Sequence, residues 1–78
     1  MLTVWSRENC PLCDELLAEL GPWARARGWP VEVRDVDSEP VAKRRFGLKV
    51  PVVTLEGALV CYGRLDWPEL ERLARGRP

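Results

Sequence analysis

Histidine is absent from the 78-residue chain, which removes the commonest general base near neutral pH and the commonest metal ligand. Excess charge of one sign is also missing, with twelve basic residues against twelve acidic ones and no block of like sign. A basic face holding nucleic acid is therefore not expected. The longest apolar runs fall far short of the stretch that crosses a bilayer, so no membrane partner is expected either. Three cysteines are too few and odd in number for the disulfide framework of a secreted miniprotein. Met1 leads straight into Leu2-Thr3-Val4-Trp5, with no basic stretch followed by an apolar leader. A cytoplasmic protein with one working cysteine pair and one bystander, Cys61, fits these absences. A closed zinc site in one chain lacks its four ligands, so no metal is expected. Linkers, repeats and low-complexity segments are missing too, leaving a single domain over 1–78, near the size at which one core suffices.

What is present is a hydrophobic fraction of 46%, including four tryptophans, enough for a packed globule. Its most informative run is Asn9-Cys10-Pro11-Leu12-Cys13-Asp14, which leaves an apolar strand and opens an apolar-periodic helix. Pro11 suits a first helical position, where its missing N–H is no loss. Leu16, Leu20 and Ala24 repeat at helical spacing, with Cys13, Leu17 and Leu20 on an adjoining line. Cys13 is thus expected to point inward, and Cys10, at the N-cap, to stay accessible. Gly21-Pro22 predicts a kink or break in this helix. Trp23 is expected to pack on the sheet and Gly28 to end the element.

Leu2–Trp5 and Val31–Arg34 read as strands. Ser38 is placed to cap a short helix through Arg45, with Pro40 in its first turn and Gly47 as the stop. Val52–Leu55 and Ala58–Tyr62 read as an antiparallel hairpin around the Glu56-Gly57 turn. Asp66 and Glu69 form a capping-box pattern for the last helix, with Leu65 and Leu70 as its staple and Gly76 as its end. The order is β-α-β-α-β-β-α, with a first crossover that makes a parallel strand pair.

Two thiols spaced C-x-x-C can close a reversible disulfide, and a helix N-terminus beneath the first sulfur favours its thiolate. A metal half-site or a chance pair are the plain alternatives. Arg7, three residues upstream, offers a permanent positive charge. Asp66 is first of all a helix cap, and Lys49 and Arg7 have solvated surface charge as their simplest reading.

Taken together, Val4-Trp5-Ser6-Arg7-Glu8-Asn9-Cys10-Pro11-Leu12-Cys13 and the distant Val50-Pro51 resemble the glutaredoxins. The Cys-Pro-Leu-Cys-Asp-Glu run and the Arg34–Asp37 segment look closest to the small bacterial glutaredoxin-like group. The resemblance covers nearly the whole chain. It implies an α/β thioredoxin-like fold of glutaredoxin type, with a four-stranded mixed sheet flanked by helices. It further implies a thiol–disulfide oxidoreductase in which Cys10 attacks and Cys13 resolves the mixed disulfide. Pro51 would be cis, presenting the Val50 backbone to an extended thiol peptide. Arg7, Pro11, Leu12, Lys49, Val50, Pro51, Gly63 and Asp66 would line the substrate site.

Glutathione or thioredoxin reductase would supply electrons, protein or glutathione mixed disulfides would accept them, and the protein would be a monomer needing no cofactor. The chain departs from the pattern in the cysteine stretch, where Trp5 replaces the usual tyrosine, Arg7 a lysine and Leu12 a tyrosine, and at three places further along. Tyr62-Gly63 stands where many glutaredoxins have Gly-Gly, Leu65 replaces the first of two aspartates, and Lys49 replaces a threonine. An iron–sulfur cluster shared through Cys10, or a thioredoxin-fold interaction module without turnover, are the alternative functions.

Overall fold

A computed structural model describes residues 1–76, so the last two residues of the expected domain lie outside it. The elements run β1 (Leu2–Ser6), α1 (Pro11–Ala26), β2 (Val31–Asp35), a 3-10 turn (Val36–Ser38), α2 (Pro40–Phe46), β3 (Val52–Leu55), β4 (Ala58–Tyr62) and α3 (Trp67–Arg75). The sheet order is β2-β1-β3-β4. β1 pairs parallel with β2 and antiparallel with β3, and β3 pairs antiparallel with β4. This is the four-stranded mixed sheet of a thioredoxin-like fold.

Alternation along the strands sorts the side chains onto two faces. On one, Leu2, Val4, Val53 and Cys61 pack with Leu16, Leu20 and Ala24 of α1 and Leu70 of α3. On the other, Val52 packs with Val36 and with Ala42 and Phe46 of α2, flanked by Trp5 and Val50. The hairpin closes through two residues with positive φ, Glu56 at 51° and Gly57 at 85°, the twist that suits a two-residue connection. A register shift between Val53 and Thr54 leaves Val60 as an extra residue in β4.

Three local expectations change. Helix α1 runs from Pro11 to Ala26 without a break at Pro22. Pro22 and Ala18, the residue whose carbonyl would have accepted its N–H, are both exposed. Water can therefore serve that carbonyl, while Leu16, Leu20 and Ala24 hold the helix to the core on the opposite side. The helix ends at Arg27, and Gly28 follows with φ 69°.

Ser38 does not cap α2. Glu39 is forced into extended backbone before Pro40, so it becomes the N-cap, and the Ser38 hydroxyl donates to the Asp35 carbonyl instead. Only half of the capping box on α3 forms. Asp66 Oδ1 accepts from the Glu69 amide at 3.1 Å, but the Glu69 carboxylate is held by the Arg72 guanidinium through two bonds of 2.8 Å.

Trp23 packs against the main core as expected and also links α1 to α3. Its ring stands edge-on to Trp29 and Trp67, and its indole N–H donates to Glu71 at 2.8 Å.

Candidate active site

Asn9, with φ 57°, turns the chain from the loop after β1 into α1, a conformation asparagine tolerates better than most residues. Cys10 then lies at the N-cap in extended backbone, and its Sγ accepts the Cys13 amide N–H at 3.1 Å. The sulfur thus occupies the place a serine or aspartate oxygen takes in ordinary capping. Cys10 and Cys13 are joined as a disulfide. The two sulfurs are unequal: Cys13 is fully buried at the head of the α1 core stripe, whereas Cys10 is half-buried.

The Val50-Pro51 bond is cis, and Pro51 is buried. The Gly63 amide donates to the Pro51 carbonyl at 2.8 Å, tying the loop between β4 and α3 to this turn. Leu12, exposed at 57%, and Gly63 line one groove of about 610 Å³ that runs along α1, together with Glu15, Glu19, Tyr62 and Arg64. Lys49 places its ammonium 5.3 Å from the centre of the Tyr62 ring. Asp66 caps α3 and lines a neighbouring depression with Cys61 rather than the Leu12 groove.

Arg7 is engaged away from that groove. Its Nε and Nη2 donate to the two carboxylate oxygens of Asp37, at 2.7 and 2.8 Å, and its Nη1 donates to the Gly47 carbonyl at 2.7 Å. The guanidinium therefore clamps the loop before Cys10 to the 3-10 turn and to the end of α2. It holds the Asp37 carboxyl below the usual range, and the carboxylate in turn raises Arg7. Cys61 is a free, buried thiol whose pKa is pushed up by burial. Among the described residues, no three His, Cys, Asp or Glu side chains cluster as a metal-ligand set.

Residue types alone did not mark Glu19, Tyr62 or Arg64 as site-lining. The spacing of Glu15 and Glu19, four apart in an otherwise apolar-periodic helix, was the available signal for one edge of the groove. Asp37 as the partner of Arg7 needed the fold, since 30 residues separate them.

The family model described as Glutaredoxin-like domain (DUF836) matches residues 1–73. The chain belongs to that family. Solved structures that resemble this glutaredoxin-like protein include two of bacterial proteins. The solution NMR structure of protein Ne2328 from Nitrosomonas europaea is 28% identical, with a TM-score of 0.82 over 92% of this chain and 87% of that one. The X-ray structure of protein XcR50 from X. campestris is 26% identical, with a TM-score of 0.69 over the whole of both chains. No curated protein matches. In this glutaredoxin-like chain, then, the cysteine pair sits at a helix start, closed as a disulfide and adjoining a groove.

Proposed function

We propose that the protein is a dithiol–disulfide oxidoreductase that reduces protein or glutathione mixed disulfides. The observation that carries this reading is the Cys10–Cys13 disulfide at the start of α1, with Cys10 half-buried and Cys13 fully buried. In the reduced protein, the first-turn amides and the helix dipole stabilise a Cys10 thiolate. That thiolate attacks a substrate disulfide, bonds to one sulfur and releases the other as a thiolate, which takes a proton. Cys13, held within one helical turn, gives up its proton and attacks Cys10 Sγ. The internal disulfide closes and the substrate leaves as a thiol, so two electrons have passed from the protein to the substrate.

Cis Pro51 and the half-buried Val50 support the substrate role given to this turn, whose backbone would pair with an extended peptide. Pro11 and Leu12 form the intervening surface, and Gly63, bonded to Pro51, borders it. Lys49 offers a charge at the rim. Arg7 and Asp66 support the site through the clamp and the cap. Glutathione or thioredoxin reductase restores the dithiol, and the free Cys61 accords with a reducing, cytoplasmic setting. No helix among the described residues is long and apolar enough to cross a membrane.

The test is turnover on a mixed disulfide with each donor supplied separately. Cys10→Ser is expected to abolish reduction. Cys13→Ser is expected to trap substrate on Cys10, visible by mass spectrometry as a covalent adduct. Absence of turnover with both donors, together with no adduct in Cys13→Ser, would defeat the proposal.

A further inference from the structure

Residues 8–24 carry four carboxylates, Glu8, Asp14, Glu15 and Glu19, and no lysine or arginine, in a chain whose net charge is zero. This places an acidic surface on the helix that begins at the disulfide. Glu15 and Glu19 line the groove that also holds Leu12 and Tyr62, the latter exposed at 52%. Neither glutamate makes an ion pair among the described residues, unlike Glu69 and Glu71, which arginines occupy. Among the described residues, Arg64 is the cation that lines the groove, and Lys49 stands at its rim over the Tyr62 ring.

We infer that this groove takes an extended, cationic protein segment beside the substrate cysteine. The inference rests on the oxidoreductase reading of Cys10 and names the substrate class of that same site. Its geometry follows from the two secondary structures that would meet. Four residues of α-helix rise about 6 Å, which separates Glu15 from Glu19 along the groove. Alternate residues of an extended chain lie about 7 Å apart on one side. Two lysines or arginines at alternate positions thus match the two carboxylates. Cys10 lies about 7.5 Å along the axis from Glu15, about two extended residues. The cations therefore fall about two and four residues from the reacting cysteine. An apolar side chain between cysteine and cation meets Leu12 and Tyr62. A small anionic thiol, such as glutathione with its two carboxylates, finds repulsion along the same line.

Chemistry at sulfur is unchanged. Cys10 thiolate bonds to the peptide sulfur and displaces the other half of the substrate disulfide as a thiolate. A pre-reduced sample supplies the electrons, so no external donor is needed for one turnover.

Stopped-flow single-turnover reduction of three peptides, each a mixed disulfide with thionitrobenzoate, provides the test. They carry lysine, glutamine or glutamate two and four residues from the cysteine, in both chain directions. The lysine peptide in its better direction is expected to react roughly three- to tenfold faster than the glutamate peptide, the scale of two exposed charge pairs. Rising salt is expected to shrink that ratio. The double variant Glu15→Gln/Glu19→Gln is expected to bring it near unity, with the glutamine peptide as the internal reference. Equal rates for all three peptides, or a preference that survives salt and the double variant, would overturn the cationic groove while leaving Cys10 chemistry intact. Failure of every peptide to react at Cys10 would instead strike the oxidoreductase reading, and the groove inference with it.

Discussion

At the scale of single residues, the site is set by what each polar group is already bonded to. Arg7 fills a fork with three acceptors, Asp37 Oδ1 and Oδ2 and the Gly47 carbonyl, a geometry that a lysine ammonium cannot reproduce. The guanidinium stabilises the ionised form of Asp37, lowering its pKa, and the hydrogen bond is the larger part of that effect. Replacing Arg7 by Gln is expected to return the Asp37 titration upward toward the ordinary value of about 3.9. Carboxylate-detected NMR titration reads this directly, and an unmoved Asp37 would mean that the pair does not form in solution. Because the folded pKa is depressed, the stability it confers is present above the unfolded value and disappears as pH falls through the folded one. The variant should therefore show a flatter acid limb as well as a lower urea midpoint.

At the scale of elements, caps and turns decide which loops face the disulfide. Asp66 starts α3 three residues after Gly63, whose amide holds Pro51. Asp66→Ala is expected to lower stability by about 1 kcal/mol through loss of the cap, whereas Asp66→Asn should change it by only a few tenths. Urea unfolding of the two variants separates these outcomes. Equal loss in both would show that charge, not capping, is what matters at this position.

The same elements show what the sequence disclosed. The start of α1 at Pro11, the hairpin at Glu56-Gly57 and the order of the elements along the chain were legible because periodicity, Pro11 and the turn pair all agree. The break at Pro22 was read from local chemistry alone. Burial of Leu16, Leu20 and Ala24 on the far face outweighs one solvent-served carbonyl, and no local rule contains that term. Ser38 failed as a cap for a local reason that was visible, the extended residue demanded before Pro40. The cysteine pair was legible from spacing, but the Arg7–Asp37 clamp and the Tyr62 side of the groove depend on strands brought together by the fold.

At the scale of the whole molecule, the two cores flanking one sheet leave a single free thiol inside, Cys61, against the face shared by α1 and α3. Without histidine, no side chain of ordinary pKa titrates between about pH 5 and 8, so stability should be nearly level there. Below that plateau, Asp37, Glu69 and Glu71 are all held down by their partners, and stability declines as pH falls through their folded values.

Above the plateau the sign reverses. Burial raises the Cys61 thiol, so the folded state keeps a proton that the unfolded chain releases near pH 8.5. Its contribution is complete below that value and drains away as pH rises toward the folded pKa. In the oxidised protein Cys10 and Cys13 have no thiol to titrate, which leaves Cys61 as the only thiol on this limb. Urea midpoints measured from pH 7 to 9.5 on the oxidised protein should therefore fall, and the fall should be shallower in Cys61→Ala. Removing one small buried side chain also lowers the whole curve, but a cavity loss does not depend on pH. The slope, not the height, reports the thiol. Parallel curves for the two proteins would show that Cys61 is already accessible to water, and that the face joining α1 and α3 to the sheet opens more readily than its packing indicates.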